Sequence, residues 1–157
     1  MKRILLYVLI LAAAVWAPVD GSDVGKLQPV QLVSLYKDEE TVVLETDTQD
    51  RGIGATVDQA FENLEKTTPA IIYLDTADYL LVSEDALEYV GELDRYLKKS
   101  VRICLQETPL DPVSASEYLR AQQGLPRLNR WQPGNDLPVL RQFEKRFILS
   151  KKDEKRY

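Results

Sequence analysis

Thr56-Val57-Asp58-Gln59-Ala60-Phe61-Glu62-Asn63-Leu64, followed by the unbroken apolar run Ala70-Ile71-Ile72-Tyr73-Leu74, decides the fold class. Val57, Ala60, Phe61 and Leu64 fall at i, i+3, i+4 and i+7, the spacing that gives one apolar face on a helix. Thr56 supplies a capping hydroxyl, and Gln59 three residues later completes a capping box. Thr67, Thr68 and Pro69 end the helix. The run that follows has no polar alternation and reads as a strand covered on both faces, the pattern of a sheet flanked by helices.

Upstream, Val30-Gln31-Leu32-Val33-Ser34-Leu35-Tyr36 and the β-branched Thr41-Val42-Val43-Leu44-Glu45-Thr46 flank the polar Lys37-Asp38-Glu39-Glu40 and predict an antiparallel hairpin. Residues 47–55, with Gly52 and Gly54, read as a loop. Downstream, Tyr79-Leu80-Leu81-Val82 predicts a short strand or turn. Ser83 caps a second helix with Glu84 and Asp85 in its first turn and Ala86, Val90, Leu93 and Leu97 on its buried stripe. Val101-Arg102-Ile103-Cys104-Leu105-Gln106 predicts another strand, and Asp111-Pro112 opens a third helix running to about residue 123. After a loop over 124–133, a last helix is expected from about Asp136 on Leu137, Leu140, Phe143 and Phe147. The order β-β-α-β-α-β-α-α describes a single α/β domain with a mixed sheet flanked by helices.

Composition narrows the chemistry. The 157 residues are 45% hydrophobic, enough to bury a core, and contain no histidine and one cysteine. Without histidine the chain lacks the commonest general base and metal ligand near neutral pH, and with it the Ser-His-Asp and HExxH arrangements. One cysteine forms neither an internal disulfide nor a CxxC pair. The expectation is a protein that is not an enzyme and uses no cofactor or metal.

Met1-Lys2-Arg3 and the 14 apolar residues over 4–17 have the form of a signal peptide, being short for a spanning helix of roughly 20 residues. Ala12-Ala13-Ala14, Val15-Trp16-Ala17 and Val19-Asp20-Gly21 are alternative cleavage sites, and an uncleaved anchor is the other reading of the segment. The expected organisation is signal peptide 1–21, linker 22–28, α/β domain 29–150 and basic tail 151–157, in an extracytoplasmic protein, secreted or attached to the outer face of the membrane. Residues 141–157 carry a net charge of +4, whereas residues 22–140 carry −10. An acidic body repels nucleic acid and anionic lipid, and a basic end suits an acidic partner or a phospholipid surface.

The hairpin, Arg51-Gly52-Ile53-Gly54-Ala55-Thr56, the helix at 57–64, the strand at 71–74, Leu80-Leu81-Val82-Ser83-Glu84-Asp85-Ala86 and Leu93-Asp94-Arg95-Tyr96-Leu97 together resemble the N-terminal domain of Ger(x)C-type spore germination receptor subunits. The likeness covers roughly residues 29–120. That family comprises exported lipoproteins held on the outer face of the inner spore membrane as part of a nutrient receptor. The family's lipobox cysteine has no counterpart here, the one cysteine being Cys104. The resemblance implies an extracytoplasmic interaction role in germination or sporulation, with an envelope or membrane protein as partner and membrane association through the N-terminal apolar segment.

Several side chains are candidates for sites. Asp75 and Asp78 follow the apolar strand, where the C-terminal edge of an α/β sheet often binds ligands, and mark a candidate small-ligand site; a turn and capping role is the alternative. Arg127, Arg130 and Trp131, between Pro126 and Pro133, form the most partner-like stretch, since Trp and Arg are enriched at interaction hot spots; a Trp folded back on the core is the alternative. Gly52-Ile53-Gly54 satisfies neither GxGxxG nor GxxxxGK[ST] and reads as a turn. Asp47 and Asp50 do not fit an EF-hand loop, and Cys104 alternates with Ile103 and Leu105 as a packing residue.

Overall fold

The computed structural model describes residues 26–151; the signal peptide and cleavage sites expected over 1–21 and the tail beyond Lys151 lie outside them. Nine strands form in chain order: β1 (Leu27–Pro29), β2 (Leu32–Asp38), β3 (Thr41–Thr46), β4 (Arg51–Gly54), β5 (Ile71–Tyr73), β6 (Tyr79–Ser83), β7 (Arg102–Gln106), β8 (Val139–Phe143) and β9 (Arg146–Ser150). Among the described residues three α-helices accompany them: α1 (Val57–Thr67), α2 (Val90–Leu93) and α3 (Pro112–Arg120). Seven strands make a mixed sheet in the order β4-β3-β2-β6-β7-β8-β9. Strands β2, β6, β7 and β8 run parallel, and antiparallel partners close both ends. The mixed α/β class read from the sequence is what the chain adopts.

Strand alternation sorts the core into two layers. Val33, Leu35, Leu80, Val82, Ile103, Leu105 and Val139 point to one face, where Val57, Ala60 and Leu64 of α1 and Ala86, Val90 and Leu93 cover them. Leu32, Tyr79, Leu81, Cys104 and Leu140 point to the other, under Ala115 and Leu119 of α3. Tyr79 to Val82 are all buried, so β6 is a central strand covered on both sides.

The helix starts follow the local chemistry. Thr56 Oγ1 accepts from Gln59 N at 3.2 Å, while Gln59 Oε1 reaches back to Ala55 N at 3.1 Å, one residue before the capping-box position. Asp111 Oδ2 accepts from Ser114 N at 3.0 Å, with Pro112 in the first turn of α3. Ser114 Oγ donates to the same carboxylate oxygen, and this side-chain bond, with the backbone one, holds the Asp111 carboxyl below its usual value.

Five expectations are corrected. The helix expected from Asp136 is the β8–β9 hairpin: Leu140 faces α3 and pairs with Leu149, and the chain reverses at Glu144, whose φ is 54°. Residues 51–54, expected as loop, are β4. A Cβ on Gly52 would lie 2.0 Å from Ala60 O and one on Gly54 2.4 Å from Ala60 N, so these glycines let α1 lie directly on the strand. The run at 70–74 is not the doubly covered strand: β5 pairs in parallel with β1, apart from the main sheet, leaving Ile71 48% and Tyr73 47% exposed. Residues 27 and 28, expected as linker, belong to β1. The helix expected after Ser83 is a 3₁₀ segment, Glu84–Tyr89, joined to the single-turn α2, although Ala86, Val90, Leu93 and Leu97 are all buried as the stripe requires.

Candidate functional site

In a parallel sheet, the C-terminal ends of adjacent strands leave a crevice where their connections depart to opposite faces. Strand β6 leads into the 3₁₀ segment on the α1 face, and β7 leads through residues 107–111 to α3 on the other face. Between these exits lies a pocket of about 520 Å³, lined among others by Lys37, Ser83, Asp85, Gln106, Glu107 and Arg141. Gln106, the last residue of β7, is 2% exposed. Its Nε2 donates to Ser34 Oγ at 2.8 Å across the sheet, and its Oε1 has no partner among the described residues. A buried acceptor left unpaired costs about 1–3 kcal/mol. Around it Arg141 Nη2 meets Glu107 Oε1 at 2.5 Å, Lys37 Nζ meets Glu88 Oε1 at 3.4 Å, and Ser83 bonds to Asp85.

Asp75 and Asp78 lie elsewhere. They precede β6, at the N-terminal edge of the parallel strands, because the apolar run before them is not part of the main sheet. Asp78 Oδ1 pairs with Lys98 Nζ at 2.7 Å, its N–H donates to Gln31 O, and its carbonyl accepts from Arg102 N. Asp75 is exposed on the 3₁₀ turn Leu74–Thr76. The structure therefore gives Asp78 the turn and strand-entry contacts that were the alternative, and the C-terminal edge belongs to other residues. Gln106 was hidden in the sequence because a glutamine ending an apolar strand resembles the polar residue that closes any strand.

Arg127 is exposed just before the 3₁₀ turn Leu128–Arg130, Arg130 is exposed at its end, and Trp131 follows it. Arg127 makes an isolated antiparallel bridge to Arg102, tying this loop to the start of β7. Trp131 is half-buried against the larger core layer, as in the folded-back alternative. It also lines a hollow of about 550 Å³ with Leu87, Val90, Gly91, Leu128 and Pro133. The indole Nε1 is buried without an acceptor among the described residues.

The remaining carboxylates and the thiol have structural positions. Asp47 Oδ1 accepts from the N–H groups of Gln31 and Leu32 at 3.0 and 3.2 Å, and Asp50 accepts from Thr48 and Thr68 hydroxyls at 2.7 and 2.9 Å. Cys104 is fully buried, and burial pushes its thiol up to about 12. Among the described residues no three His, Cys, Asp or Glu side chains gather to hold a metal, and no helix is long and apolar enough to cross a membrane. Comparison with known proteins finds no matching family model, curated protein or solved structure.

Proposed function

We propose that this chain is an exported, non-enzymatic envelope protein that acts by protein–protein contact, in the germination or sporulation setting implied by its resemblance to the Ger(x)C-type N-terminal domain. The observation that supports contact is the Trp131 hollow. It is concave and largely apolar, with an aromatic wall and a polar rim that includes Glu88, Asn129 and Asp94. Interfaces draw most of their energy from aromatic anchors in pockets of this kind. The partner is a protein segment that inserts an apolar side chain against the Trp131 ring and meets the polar rim.

Photo-crosslinking in the native organism tests this. A benzoylphenylalanine at Asn129 or Pro133 is expected to give an adduct of defined mass in the envelope fraction, and one at Glu65, on exposed α1, is expected to give none. Gly91→Tyr, which fills the hollow from an exposed position, should abolish the adduct. No adduct from either hollow position, or recovery of the chain in the cytoplasm with Met1 retained, overturns the proposal.

A second reading has its own observation. The crevice between β6 and β7, with polar walls from Lys37, Ser83, Gln106, Glu107 and Arg141, supports a small-ligand module at the C-terminal edge of the sheet, without Asp75 and Asp78. A thermal-shift screen of small polar compounds distinguishes the two: a stabilising compound whose effect is lost in Gln106→Leu and kept in Gly91→Tyr favours the ligand.

A further inference from the structure

We propose that the pole of the domain carrying β1 and β5 rests on an anionic phospholipid surface. Three observations converge there, and none involves the Trp131 hollow.

The first is an uncovered apolar face. Strands β1 and β5 pair Leu27 with Ile71 and Pro29 with Tyr73. Ile72, between the two outward residues, is buried in the core, so alternation sends Ile71 and Tyr73 outward. Leu27 is 39%, Ile71 48% and Tyr73 47% exposed, half of the six large apolar side chains exposed among the described residues. Leucine, isoleucine and tyrosine in one patch suit the headgroup boundary, where tyrosine keeps its hydroxyl wet and its ring among acyl chains.

The second is the chain's path. The apolar residues 4–17 join Leu27 through nine residues. Fully extended, that stretch spans about 30 Å. If the apolar run is retained as the uncleaved anchor, β1, and with it this pole, stays within that distance of the surface.

The third is the division of charge. The total is acidic, but the two ends of the parallel strands differ. Asp38, Glu39, Glu40, Glu84, Asp85 and Glu107 outnumber Lys37 and Arg141 at the C-terminal edge. Lys98, Lys99, Arg102, Arg120 and Arg127 stand at the β1–β5 end: Lys98 Nζ donates to Thr76 O, Arg120 meets Gln31 beside β1, and Arg127 bridges Arg102. Asp47, Asp50, Asp75 and Asp78 share this end, Asp78 being tied to Lys98, so it is close to balanced. A negatively charged bilayer repels the acidic edge more than this pole, so charge orients the domain with β1 and β5 toward the surface.

The test uses the full chain on vesicles of phosphatidylcholine with and without phosphatidylglycerol. Ile71→Cys and Glu39→Cys each carry an environment-sensitive nitrobenzoxadiazole label, which the buried Cys104 does not take up in the folded protein. On anionic vesicles, lipids bearing a quencher at the headgroup boundary are expected to quench the label at 71 by roughly half and leave the label at 39 unchanged. Lys99→Gln with Arg127→Gln should weaken the interaction by about tenfold at low salt, an effect that 0.5 M salt removes. Equal exposure of the two labels on bound vesicles overturns the proposal. So does a label at 71 that is shielded from water yet unquenched, which would show this face covered by a second copy or by the chain's own apolar segment.

Discussion

Gly52→Ala puts the contact between β4 and α1 to the test. An added Cβ lies 2.0 Å from Ala60 O and 2.7 Å from Leu64 Cβ, whereas ordinary contact begins near 3.4 Å. The nearest atom is helix backbone, so no rotamer change relieves the overlap, and α1 must retreat from the sheet by more than 1 Å. Val57, Ala60 and Leu64 are fully buried by that contact. A gap of this size forfeits a quarter to a half of their dispersion energy, and overpacking by itself costs about 1–3 kcal/mol. The expected loss is about 3 kcal/mol, a large share of the roughly 5–15 kcal/mol that holds a domain folded. Urea unfolding followed by circular dichroism measures it as a lower midpoint at unchanged slope. Gly91→Ala is the control: it sits in α2, a Cβ there meets nothing within 4 Å, and it should stabilise by about 0.5–1 kcal/mol. A Gly52→Ala protein within about 0.5 kcal/mol of the parent would refute the reasoning, because independent surface changes are already that large.

Three further outcomes follow from the same structure. Cys104 should resist thiol reagents in the native protein and react once it is unfolded; its folded value of about 12 lies above the ordinary thiol value, so stability present at neutral pH should fall as pH rises above about 9, a trend that ultraviolet thiolate absorbance follows and Cys104→Val should weaken. Asp111→Ala removes the cap of α3 and should cost about 1 kcal/mol in urea unfolding; because its carboxyl titrates low in the folded state, the contribution is present at neutral pH and lost as pH falls below about 4. Trp131→Ala should lower stability by about 2 kcal/mol while Trp131→Phe keeps most of it, measured by thermal unfolding, since the indole is half-buried against the core.

Sequence periodicity captured those elements whose signals are local. The cap at Thr56, the proline after Asp111, the hairpin of β2 and β3 and the stripe from Ala86 to Leu97 all lie where their side-chain chemistry put them. The β8–β9 hairpin was misread because Leu137, Leu140, Phe143 and Phe147 also fit a helical spacing, and only the partner strand β7 decides between the two. Gly52 and Gly54 suggested a turn because sequence shows that glycine omits a side chain, not which backbone occupies the space. Five apolar residues in a row imply a central strand and so point to a ligand edge beside Asp75 and Asp78, whereas β5 belongs to a separate pair. Gln106 Oε1 and Trp131 Nε1 gave no sequence signal at all, since an unpaired atom is defined by what fails to surround it.

The parallel seam between β2 and β6 sets an order of events. Leu32 pairs with Tyr79, 47 positions later, whereas the contacts of β2, β3, β4 and α1 with one another lie within residues 32–67. Short loops close at least entropic cost, so the β2–β3–β4–α1 unit can form as soon as it is available. Until β6 arrives, that unit presents β2 as a bare strand edge with Leu32-Val33-Ser34-Leu35-Tyr36 along it, the kind of template on which other chains pair. Burial of β6 on both faces is thus also what retires the most aggregation-prone edge of the partly folded chain, and any change that delays β6 should first be seen as loss of yield rather than as a lower melting temperature.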